Sequence, residues 1–125
     1  MLNVISGIHG APIPPKPTVS GGTLTSDATY YYRTFTSTNT LTVSTADLTA
    51  DVLCIAGGAG GAKGGGGAGG YIYSSSQTLT PNSYTATVGA GGAAGTYDSA
   101  NGVNGNISNL TGGSLSLTQL SLIHI

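Results

Sequence analysis

Charge is what this sequence has least of. Only three Lys or Arg and four Asp or Glu occur among 125 residues, 6% charged against roughly 25% in an average soluble domain. The cations Lys16, Arg33 and Lys63 and the acids Asp27, Asp47, Asp51 and Asp98 are scattered. No basic stripe exists to neutralise phosphates, so nucleic acid is not an expected partner. Glutamate is absent, and a glycosidase-type carboxylate pair would need distant aspartates to meet. Outside the last six residues the sole histidine is His9, in a Pro/Gly-rich stretch, which leaves a Ser or Cys nucleophile without a general base. A single cysteine, Cys54, excludes a disulfide framework and a cysteine zinc cluster. Its neighbours Leu53 and Ile55 make it read as a small core residue rather than a reactive thiol. No run approaches the about 18 apolar residues of a membrane span, and Met1-Leu2-Asn3-Val4-Ile5 lacks the basic flank and the length of a secretory signal. The expectation is a soluble, non-inserting, unsecreted chain that is not an enzyme and holds no metal or cofactor.

What is abundant is small, polar or aromatic: 22 Gly, 18 Thr, 14 Ser and 7 Tyr. Leu, Ile, Val and Phe together make 26 of the 125 residues, only just above the roughly 20% below which chains tend to stay disordered. Any core must therefore be small. Residues 1–22 hold Pro12, Pro14, Pro15 and Pro17 with Gly7, Gly10, Gly21 and Gly22, a mixture that blocks helices and reads as an extended arm or linker. From Thr23 apolar residues recur at every second position, through Tyr30-Tyr31-Tyr32-Arg33-Thr34-Phe35-Thr36 and then Leu41-Thr42-Val43. These are strands, and the polar Ser37-Thr38-Asn39 between them predicts a hairpin. Asp51-Val52-Leu53-Cys54-Ile55-Ala56 is a continuous apolar run that reads as a strand buried on both faces. Tyr71-Ile72-Tyr73 restores a strand after glycine, and Leu79-Thr80-Pro81-Asn82-Ser83-Tyr84 reads as strand, turn, strand, leading into Tyr84–Val88. Helical evidence is confined to a single turn near Ser44–Thr49. The fold class is all-β, a small sandwich or jelly-roll-like module with polyglycine-rich loops.

Two glycine clusters follow strands. Residues 57–70 are Gly at ten of fourteen positions, and Gly89-Ala90-Gly91-Gly92-Ala93-Ala94-Gly95 repeats the arrangement after Val88. Neither helix nor ordinary strand survives that entropy cost. Backbone without side chains can instead form polyproline-II-like threads that bond to neighbouring threads, as in polyglycine II. A lone thread cannot satisfy its own amides, so partners are needed in the second cluster, in further glycine segments, or in other subunits, a homotrimer among them.

Phosphate-loop readings fail. Lys63 is followed by Gly64 rather than Ser or Thr, and no helix follows. The G-x-G-x-x-G match at Gly65, Gly67 and Gly70 is what any polyglycine run supplies by chance. Calcium β-roll repeats need Asp within the glycine motif, and the clusters hold none. The sequons at Asn106 and Asn109 are what a Ser/Thr/Asn-rich composition gives by chance. The surface most suited to contact is a rim formed by the glycine clusters with Lys63, Tyr71 and Tyr73. Tyrosines there either pack over glycine backbone or stack on a neutral glycan or an outer-membrane protein loop.

Leu120-Ser121-Leu122-Ile123-His124-Ile125 is what CTG TCT CTT ATA CAC ATC encodes, a string matching the transposase mosaic-end adapter of sequencing libraries. Residues 120–125 accordingly read as an appended artefact and His124 carries no chemistry. The expected β domain is 23–119, truncated near Gln119.

The succession of the 30–36 strand, the 41–43 strand, Ala50-Asp51-Val52-Leu53-Cys54-Ile55-Ala56-Gly57-Gly58, a block ending Ala68-Gly69-Gly70, and Leu79-Thr80-Pro81-Asn82-Ser83-Tyr84-Thr85-Ala86-Thr87-Val88-Gly89-Ala90-Gly91-Gly92 resembles the glycine-rich domain of tailed-phage tail-fibre and related virion proteins. The resemblance covers roughly residues 28–115. Asn82 and Ser83 depart from that family's Pro-Gly-Thr-Tyr-type turn, conservatively, since Asn tolerates positive φ. The resemblance implies a non-enzymatic virion component at or near the host-contacting end of the tail, assembled with other tail-fibre or virion subunits. The competing class is a cell-surface or ice-binding glycine-rich structural protein.

Overall fold

A computed structural model describes residues 10–98 and 100–119, in which nine strands and no helix make up the regular structure. His9 and segment 120–125 lie outside the described residues. The strands are β1 (Thr18–Ser20), β2 (Thr23–Ser26), β3 (Tyr31–Thr34), β4 (Asn39–Ser44), β5 (Leu48–Ile55), β6 (Tyr71–Leu79), β7 (Asn82–Thr87), β8 (Ser108–Gly112) and β9 (Leu115–Gln119). Five form an antiparallel sheet in the order β1-β4-β7-β8-β9, β5 pairs with β6, and β2 pairs with β3. The fold is all-β and sandwich-like, as the alternating sequence predicts.

The core lies between the five-stranded sheet and the β5–β6 layer. Period-two alternation puts Leu41 and Val43 of β4, Tyr84 and Ala86 of β7 and Leu110 of β8 inside, with Leu79 from the end of β6. Val52 and Cys54 of β5 close it from the second layer. Cys54 is half-buried, and desolvation pushes its thiol above the ordinary range. It is packing material, not an activated nucleophile. Tyr84, the largest fully buried side chain, donates its hydroxyl to the Thr80 carbonyl at 2.7 Å. That bond satisfies the one polar atom the ring carries inside and fixes the corner at Pro81 where the chain leaves one layer for the other.

Two strand expectations need correction. The hairpin predicted across Ser37–Asn39 does not form: β3 pairs back onto β2, and β4 pairs with β1 and β7. Asp27 explains the choice. Its carboxylate accepts the N–H groups of Thr29 and Tyr30, each at 2.7 Å, and its own N–H donates to the Tyr30 carbonyl at 3.0 Å, so the tight turn is at 27–30. Residues 35–38 instead carry the chain between sheets. The run 51–56 is also not buried on both faces. β5 alternates strictly, with Asp51, Leu53 and Ile55 exposed, because among the described residues nothing covers its outer side. Thr18–Ser20, at the end of the extended lead-in, is the edge strand β1, and the Arg33 guanidinium clips it to β3 through the Val19 and Gly21 carbonyls.

The glycine clusters form threads whose amide bonds recur with the three-residue period of a polyproline-II-like conformation. Block 57–70 folds back on itself: the N–H groups of Ala56 and Ala59 donate to the carbonyls of Gly70 and Gly67, both at 2.8 Å. The other two sides of thread 56–61 are also occupied. Gly57 and Gly60 donate to Asn106 and Val103 (3.0 and 2.9 Å), while Gly58 and Gly61 accept from Gly92 and Gly95 (2.8 and 2.9 Å). Threads 89–95 and 101–107 then bond to each other, Val103 to Ala93 at 2.9 Å and Asn106 to Ala90 at 2.8 Å. Thread 56–61 is thus bonded to three neighbours. The approach is so close that a Cβ on Gly57 or Gly60 would overlap the carbonyl oxygen of Ala90 or Ala93, which is why these positions are glycine.

Candidate functional site

The threads set out two distinct surfaces. One is the tip, where the turn at 62–65 meets the loop joining threads 89–95 and 101–107. Lys63 reaches across: its ammonium stands 5.4 Å from the centroid of the Tyr97 ring and 3.8 Å from an Asp98 carboxylate oxygen. Both charges are largely exposed, so screening leaves the pair little energetic weight. Between the two loops lies a shallow depression of about 400 Å³, bordered by Ala62, Lys63, Gly64, Tyr97, Asp98 and Asn101. Lys63 is therefore matched at the tip by a charge of opposite sign, Asp98.

The second surface is the outer face of β5–β6. Tyr71 pairs with Ile55 and Tyr73 with Leu53 across the ladder. All four side chains point outward and remain 57–70% exposed. Lys63 does not join them. The returning thread 66–70 runs between the tip and Tyr71, about 12 Å at the ~3.1 Å rise of such a thread. The residues expected to share one rim occupy two places.

A bulge organises the second surface. Register shifts between Ala50 and Val52, and Ser76 adopts φ 54° opposite it. The Asp51 carboxylate accepts the Ser76 N–H at 2.8 Å and the Tyr73 hydroxyl at 2.7 Å. Those two bonds hold its carboxyl below the ordinary range, and the same carboxylate raises the Tyr73 phenol. An equivalent pair stands on the β2–β3 hairpin, where the Tyr32 hydroxyl donates to Asp27. There the Tyr32 bond, followed by the Thr29 and Tyr30 amides, lowers the Asp27 carboxyl. The Tyr30 and Tyr32 rings are tilted against each other at 6.5 Å, and Tyr30 adds to the electrostatic rise at Tyr73. Tyr30, Tyr31 and Tyr32 are all exposed.

Among the described residues no three His, Cys, Asp or Glu side chains gather to hold a metal. What the surface can do is stack and hydrogen-bond. Composition could place neither Asp–Tyr pair, because each depends on a turn or bulge. Glycine content does not mark 101–107 as a thread, but Gly102 and Gly105 keep the three-residue spacing of Gly57/Gly60, Gly66/Gly69 and Gly89/Gly92/Gly95, and that spacing is the signal for it.

The family model described as a glycine-rich domain matches residues 34–122, more than two thirds of the chain. Neither the curated proteins nor the solved structures compared with the chain give a match.

Proposed function

Because the chain belongs to this glycine-rich domain family, we propose that it is a non-enzymatic structural and adhesive module of a phage virion, carried on a tail fibre. The observation that supports this reading most is the interlocking of three threads around 56–61, in which backbone rather than side chains supplies the contacts. Such a slab is stiff, needs almost no apolar core and holds loops at its far end in fixed positions. Rigid scaffolds with variable tips are what recognition requires. In this role the module attaches to other virion subunits, as a homotrimer or within a larger fibre, and turns its loops or aromatic face toward a host glycan or outer-membrane protein.

Purified particles from the source of the gene provide the test. Peptides of this chain should appear in the virion proteome, and antibody to it should label tails by electron microscopy. A chain that is expressed during infection yet absent from purified particles would end the virion reading.

A further inference from the structure

The outer face of β5–β6 has an aromatic floor, an anchored acceptor and no cation. Tyr71 and Tyr73 are alternate residues of one strand, so their Cα atoms stand about 6.8 Å apart and both side chains lie on the same side. Leu53 and Ile55 fill the floor beside them. Asp51 is not free to swing, since one oxygen takes the Ser76 N–H and the other the Tyr73 hydroxyl. Each carboxylate oxygen retains a second lone pair, and Asp51 is exposed. Neither strand carries Lys or Arg.

We propose that this face binds a neutral glycan, with sugar rings stacked on Tyr71 and Tyr73 and sugar hydroxyls donating to the Asp51 carboxylate. The inference rests on the adhesive reading above and names its ligand class. Two properties of the patch choose this occupant. A carboxylate without a neighbouring cation on either strand repels phosphate, sulfate and uronic acid groups but accepts uncharged hydroxyls. The apolar area is also too small for a second copy. Four side chains, two of them tyrosines of about 200 Å² each, offer on the order of 500 Å², short of the about 800 Å² that each partner contributes to a stable protein interface. An exposed ring held by its own hydroxyl is already ordered, so stacking a flat, mixed polar and apolar sugar face costs little side-chain entropy.

Affinity electrophoresis of the whole chain through gels containing neutral dextran, neutral mannan or anionic alginate tests the proposal. Retardation by at least one neutral polymer and none by alginate is expected. Tyr71→Ala and Tyr73→Ala should each weaken binding about tenfold. Asp51→Asn should weaken it less than either. Thr118→Ala, on β9, should leave it unchanged. These side chains are exposed, and a retained cooperative melt with unchanged strand content would show that the fold survives. No retardation by either neutral polymer, equal retardation by alginate, or undiminished binding by both tyrosine variants overturns the inference. Loss of glycan binding in a protein that still enters virions sinks this inference alone, whereas absence from virions sinks the virion assignment alone.

Discussion

Gly60 and Ala93 stand so close that a methyl group on Gly60 would overlap the Ala93 carbonyl oxygen, while the Gly60 N–H donates to Val103 at 2.9 Å. The contact is the kind in which a Cα–H faces a carbonyl, individually weak and here repeated every third residue. It makes glycine a packing residue. The threads add backbone packing to a side-chain core that the composition keeps small.

Not every glycine is held this way, and the difference can be measured. A Cβ on Gly65 would meet nothing within 4 Å, and Gly65 is not among the glycines with positive φ. Gly65→Ala should therefore raise stability by about 0.4–1 kcal/mol through the unfolded chain. Gly60→Ala must push backbone threads apart and should cost about 3 kcal/mol. Urea unfolding of the two variants against the parent checks the contrast.

Tyr84→Phe removes the hydroxyl bond to Thr80 and nothing else of the ring. The expected loss is about 1 kcal/mol with unchanged strand content, read by thermal melting and circular dichroism.

Thr45 holds φ 77°, a left-handed conformation that a β-branched residue adopts only under constraint. Thr45→Asn should be stabilising by about 1 kcal/mol, since Asn tolerates this region. A melting curve decides it.

Acid and base should each weaken the two Asp–Tyr pairs, acid through the carboxyl and base through the phenol. Asp27 and Asp51 have lowered carboxyl pKa values in the fold. Their stabilisation is present above the unfolded value near 3.8 and is lost as pH falls through the folded values. Tyr32 and Tyr73 are raised by those same carboxylates, so their stabilisation is complete below 10.0 and lost as pH climbs through the folded values. Melting temperature should be flat with respect to these groups from about pH 5 to 8 and fall on both sides. Asp51→Asn should blunt both edges.

Much of the fold is legible in the sequence because it follows from alternation: Leu41 and Val43, Tyr84 and Ala86 are inward at period two, and Pro81-Asn82 turns the chain between layers. Strand pairing is less legible. Ser37–Asn39 has the composition of a hairpin turn, yet the Asp27 carboxylate makes a better one at 27–30, and only its hydrogen bonds reveal this. The exposed face of β5 is hidden for a related reason. Leu53 and Ile55 look like core residues, and nothing in an apolar run says which side lacks a covering layer. The placement of Lys63, Tyr71 and Tyr73 is legible in part: Tyr71 and Tyr73 share a face as alternate positions on a strand must, but the thread length that separates them from Lys63 emerges only once block 57–70 doubles back.

The central claim is that the glycine-rich segments are bonded threads, and amide hydrogen exchange resolved by residue tests it most directly. The amides of Gly57, Gly60, Gly92, Val103 and Asn106, all donors between threads, should exchange orders of magnitude more slowly than those of Gly64 and Gly65 at the tip. Gly57 and Gly60 exchanging as fast as Gly64 would contradict the account.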